Sequence, residues 1–132
     1  MHTLEQIMIP HHVDIPAHLE AEAEVPVLTG LQRQGDVIVI PMTPGQVSNL
    51  VPIPSEGVPV VRGEAGGNTH LLVGSGRYAR RDQGADLGTL VVDEGETAWL
   101  IHREHGAQGI GGGTYRLRRQ REMADEIKLV QD

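Results

Sequence analysis

From Val37 onward the apolar residues of this 132-residue chain come in short runs, each closed within a few positions by glycine, proline or a turn-forming polar residue. The runs are VIVIPM (37–42), VPVVR (58–62), THLLV (69–73), RYAR (77–80), GTLVV (88–92), TAWLIHR (97–103), TYRLRRQR (114–121) and EIKLV (126–130). Stretches this short and this rich in Val, Ile and Thr read as strands. Seven or eight strands with turns between them predict an all-β fold: a single antiparallel β-sandwich or β-barrel over residues 33–132, preceded by an extended N-terminal arm over 1–32. The 17 glycines and eight prolines are spread along the chain, as frequent reversals require. With no Phe, one Trp (Trp99) and two Tyr (Tyr78 and Tyr115), the core falls to aliphatic, largely β-branched residues, which suit sheets.

Two turns carry specific expectations. Asp93-Glu94-Gly95 separates GTLVV from TAWLI and supplies a residue tolerant of positive φ, predicting that these two strands are antiparallel neighbours in a hairpin. Gly111-Gly112-Gly113 does the same before Tyr115, or lets another backbone approach closely. A phosphate-cradling loop normally feeds a helix and carries a Lys with Ser or Thr; here a strand of arginines follows.

The arm is broken by Pro10, Pro16 and Pro26 and has no sustained period. Within it LEAEAEV admits two readings. Ala and Glu favour a short helix over 17–24 with Pro16 leading into its first turn, the preferred reading. Strict alternation instead puts Glu20, Glu22 and Glu24 on one face and Leu19, Ala21, Ala23 and Val25 on the other.

Composition narrows the function classes. There is no cysteine, hence no disulfide framework and no thiolate chemistry. No apolar run reaches the ~20 residues of a membrane helix, and MHTLEQIMIPHH lacks the basic and apolar regions of a secretory signal, so the expected location is a virion or the cytoplasm, with no membrane partner. The net charge of −7 disfavours direct binding to a phosphate backbone. Ser48, Ser55 and Ser75 sit in turns without a nucleophile-elbow pattern, and Asp93, Glu94 and Glu96 fall in a turn where solvation is expected.

Two constellations remain. The first is histidine. His2, His11, His12 and His18 lie in the arm, while His70, His102 and His105 lie in the strand-rich body that could position them. On a continuing strand His102 shares a face with Glu104, and His70 from another strand would make two imidazoles and one carboxylate, with His105 in reserve. Cupin-like barrels hold zinc, iron or manganese in related ways. The competing reading is that histidines at a strand end hydrogen-bond to one another and to backbone.

The second constellation is charge. Residues 1–32 contain Glu5, Asp14, Glu20, Glu22 and Glu24 and no Lys or Arg, whereas residues 103–121 carry Arg103, Arg116, Arg118, Arg119 and Arg121 against Glu104 alone. Alternation in TYRLRRQR places Thr114, Arg116, Arg118 and Gln120 on one face and Tyr115, Leu117, Arg119 and Arg121 on the other. The polar face is either solvated or a docking surface for carboxylates, which guanidinium groups grip bidentately. Glu20, Glu22 and Glu24 are the densest acidic set available to it, within one chain or between copies.

The stretches GEAGGNTHLLV (63–73), LIHREH (100–105) and GTYRLRRQRE (113–122) resemble small uncharacterised β-rich proteins of actinobacterial and phage genomes. In those proteins a Gly-Glu-x-x-Gly-His-x-His segment precedes His-x-Glu-His and a Gly-x-Tyr strand ending in Gln-Arg-Glu. Asn68 stands here at the first histidine of the pair, with His70 retained. The resemblance covers about the last 70 residues and implies a β fold and a phage origin, with no activity attached.

These features predict a non-enzymatic structural protein without a cofactor. It would be a capsid-associated decoration or stabilising protein that forms a homo-oligomer through its arm and edge strands. The alternative is a cupin-like protein binding zinc, iron or manganese through His70, His102, Glu104 and His105, and acting as an enzyme. A third class is an adaptor that takes an acidic peptide on the arginine strand.

Overall fold

The computed structural model describes residues 2–62 and 69–120. The strand expected at 126–130, Arg121 and the GEAGGN stretch lie outside the described residues. A short helix α1 (Leu4–Met8) runs into a 3-10 turn (Ile9–His11). Eleven strands follow among the described residues: β1 (Val27–Leu28), β2 (Gln32–Gln34), β3 (Val37–Met42), β4 (Val51–Pro52), β5 (Val58–Val61), β6 (His70–Gly74), β7 (Arg77–Gln83), β8 (Asp86–Val92), β9 (Ala98–His102), β10 (Gly106–Ile110) and β11 (Gly113–Arg119). They form a 5-stranded sheet in the order β1-β10-β9-β6-β5 and a 6-stranded sheet in the order β2-β3-β11-β8-β7-β4. The β1–β10 pair is parallel. The other pairs are antiparallel. The architecture is an all-β sandwich.

The expected hairpin between GTLVV and TAWLI does not form. β8 belongs to the 6-stranded sheet and β9 to the other, so Asp93-Glu94-Gly95 is a corner at which the chain changes sheet. β10 and β11 are divided in the same way, and the glycine triplet is the matching corner. The chain from 86 to 119 is therefore one long hairpin, reversed at Arg103–His105 and folded over at its middle, as strands that switch sheets are. β4–β5 and β6–β7 repeat this plan. The corners lie side by side: the Ile53 amide donates to the Gly76 carbonyl (3.0 Å), Ser75 to Thr97 (2.9 Å) and Gly111 to Leu28 (2.9 Å). Close approach is what the glycines permit here, since a Cβ on Gly112 would lie 2.9 Å from Glu94 Cα. The Tyr115 hydroxyl donates to the Gly111 carbonyl at 2.8 Å and ties the corner to β11.

Alternation then builds two cores. Inward residues of both sheets, among them Val39, Leu72, Leu90, Leu100, Ile110, Tyr115 and Leu117, fill the space between them. The intervening residues of β6 and β9 are also apolar, and Val73, Trp99 and Ile101 pack on the outer side of the 5-stranded sheet against Leu4, Ile7, Met8 and Val25. The arm is what they meet. α1 is held by a capping box, in which the Thr3 hydroxyl accepts from the Gln6 amide while the Gln6 side chain accepts from the Thr3 amide.

The helix expected over 17–24 is absent. Leu4 and Glu5 donate to the carbonyls of Ala23 and Ala21, and Val25 donates to the His2 carbonyl. The segment instead makes two tight turns, closed by the Leu19 amide on the Pro16 carbonyl and the Ala23 amide on the Glu20 carbonyl, with Glu20, Glu22 and Glu24 exposed and Val25 buried. Pairing with α1's approach and burial of alternate side chains override the helix propensity of Ala and Glu.

Candidate functional site: a histidine stack between the sheets

His70 opens β6 and His102 closes β9. Leu71 pairs with Ile101, so the next position in this register sets His70 opposite His102. Both lie on the inward face with Leu72 and Leu100, and each is only 3% exposed. Their ring centroids are 4.4 Å apart, and the exposed His105 continues the stack 4.6 Å from His102. The strand ends at His102, so Glu104 joins it through the turn and not through strand alternation. His102, Glu104 and His105 bring potential ligand atoms within 4.8 Å of one another. His70 contributes to the same cluster as the ring stacked on His102.

His102 has a specific task in that turn. Its Nδ1 accepts the backbone amides of Glu104 (3.0 Å) and His105 (3.3 Å). The lone pair at Nδ1 is thus committed, and the neutral ring carries its proton on Nε2. Coordination of a metal through either nitrogen would cost the turn both hydrogen bonds.

The third wall comes from the other sheet. The β2–β3 turn, Gly35-Asp36, lies over the histidines. Gln34 Nε2 donates to the Leu100 carbonyl at 2.9 Å, which turns its Oε1 toward His70 Nδ1, also at 2.9 Å. His70 Nδ1 is therefore the protonated nitrogen, and Nε2 is directed at Asp36 Oδ1, 3.5 Å away. Asp36 Oδ2 lies 3.8 Å from Arg119 Nε. Burial pushes the His70 imidazole down to about 4, reinforced by His102, His105 and Arg119 and opposed by Asp36. His102 is lowered as well, by burial and then by His105, with Glu104 and Asp36 opposing.

The charged residues occupy opposite sides of the sandwich. The arm covers the outer face of the 5-stranded sheet, and its Glu5, Asp14, Glu20, Glu22 and Glu24 are all exposed. Tyr115 and Leu117 of β11 point inward, so Arg116 and Arg118 face outward on the 6-stranded sheet. Arg118 and Arg33 both register with Ile38, which sets the three side chains in one row. Arg116 Nη1 lies 3.5 Å from Asp86 Oδ2. Within one chain the two cores separate Glu20, Glu22 and Glu24 from Arg116 and Arg118.

Gln34, Gly35 and Asp36 were not singled out from sequence. The Gly-Asp pair between QRQ and VIVI is a recognisable hairpin turn, but nothing local says that it lands on histidines more than 30 positions away.

The fold and the cluster define a class: a sandwich of bent hairpins whose sheets are bridged at one end by buried imidazole and amide groups and a partly exposed carboxylate. The chain belongs to the family described as Domain of unknown function (DUF8820), whose model matches residues 33–120. The match contains the stack, the β2–β3 turn and the arginine strand, and leaves out the arm. No curated protein and no solved structure matches the chain.

Proposed function

We propose that this protein is a non-enzymatic assembly protein that associates head to tail, the acidic arm face of one copy meeting the arginine face of the next. A protein decorating or stabilising a phage capsid is the setting this fits. The observation that carries the reading is the placement of opposite charges on opposite faces of one small sandwich. A head-to-tail contact between opposite charges propagates where a two-fold contact would not. Val27 and Leu28 on the edge strand β1, with Leu31 just beyond, are 46%, 49% and 69% exposed, and add apolar surface next to the acidic arm.

Sedimentation velocity tests this. At low ionic strength the wild-type chain forms concentration-dependent species larger than a monomer. These return to monomer as salt approaches about 1 M, where the Debye length falls to about 3 Å. The variant Glu20→Lys/Glu22→Lys/Glu24→Lys stays monomeric at low salt. A wild-type chain that is monomeric at high concentration and low salt overturns the reading.

A further inference from the structure

We propose that the buried His70 and the partly exposed Asp36 hold a divalent metal that clamps the two sheets together, with His105 as the third ligand. The argument begins at the Leu100 carbonyl. It fixes the orientation of the Gln34 amide, the amide oxygen fixes the proton of His70 on Nδ1, and the Nε2 lone pair of a side chain 3% exposed is left directed at a carboxylate oxygen. A lone pair and a carboxylate oxygen repel unless a proton or a metal ion lies between them.

The spacing suits such an ion. A tetrahedral metal with bonds of about 2.0–2.2 Å separates two ligand atoms by about 3.4 Å, and His70 Nε2 and Asp36 Oδ1 are 3.5 Å apart. The surroundings match those of a ligating imidazole, whose second nitrogen donates to a protein oxygen, here Gln34 Oε1. Arg119 stands by the other carboxylate oxygen and leaves Oδ1 to the ion.

Gly35 provides the room. A Cβ there would lie 3.2 Å from His105 Nε2 and 3.3 Å from His70 Cε1, so both rings converge on the space that only glycine leaves open. His105 is exposed with its ring stacked on His102, and it turns from that stack toward the ion on binding. Imidazole and carboxylate donors in this number suit zinc, with cobalt(II) as a spectroscopic substitute. The ligand set differs from the one expected from sequence, since Asp36 replaces Glu104 and His102 stays with its turn.

The test uses the full chain after chelator treatment. Calorimetry with zinc is expected to give one site, and cobalt(II) a visible band of tetrahedral intensity. Asp36→Asn weakens zinc binding about 100-fold or more. His105→Ala weakens it less, and Glu104→Gln leaves it unchanged. Nitrogen-detected NMR of the imidazoles reads the same site independently of stability, because zinc shifts the His70 Nε2 resonance. The proposal fails if wild type takes up no zinc, if Glu104→Gln abolishes binding while Asp36→Asn does not, or if His70 carries protons on both nitrogens at neutral pH.

Discussion

At the scale of single residues, the stack contains imidazoles given different work by their hydrogen bonds. His102 accepts two backbone amides and shapes the turn; His70 is locked into one tautomer by an amide anchored on the opposite sheet. Both have lowered proton affinity. A histidine at about 4 in the folded chain and 6.5 when unfolded binds more protons unfolded between those values, so stability rises with pH across that window and falls as pH drops through it. Metal-free protein is therefore expected to lose up to about 3 kcal/mol between pH 6.5 and 4 through His70. His70→Asn flattens the slope, as urea midpoints at pH 5, 6 and 7 will show. Gly35 is sensitive for a separate reason. It sits at φ +58 with two rings close to where a Cβ would lie, so Gly35→Ala costs about 1–2 kcal/mol from backbone strain alone, measurable in the same titration at pH 7.

At the scale of elements, one rule explains both the successes and the failures of sequence reading. Seven runs with period-2 or fully apolar patterns became strands, because alternation survives any partner. β1, β2, β4 and β10 had no such run: β1 and β4 are two residues long, β2 is the all-polar Gln32–Gln34, and β10, Gly106–Ile110, contains two glycines. The Asp93–Gly95 turn departs from the expected hairpin because turn chemistry marks where the chain bends, not whether the next strand returns to the same sheet. HLLV and AWLI did carry a further signal. Strands apolar on both faces must be covered on both, and α1 with the arm is that cover. The docking is testable through Trp99, the single tryptophan, which is 8% exposed beneath the arm. Met8 is fully buried there. Met8→Ala is expected to lower stability by about 2–5 kcal/mol and to red-shift Trp99 emission as the arm loosens. Leu28→Ala on the exposed edge leaves the emission unchanged.

At the scale of the whole molecule, the sequence by itself determined the fold class, the strand-forming runs and the opposite polarity of its two ends, since periodicity and charge are local properties that tertiary context does not erase. His70, His102, Glu104 and His105 are also legible there as the histidine and carboxylate set of the strand-rich body. Only the tertiary structure decided which strands share a sheet, because corner and hairpin turns use the same residues. It likewise decided that the acids of the arm and the arginines of β11 face away from each other across two cores, and that Asp36 and Gln34 reach the histidines from the opposite sheet. These relations depend on how a long hairpin is folded over itself, and that is set by the burial of both faces of β6 and β9 together, which no window of sequence contains.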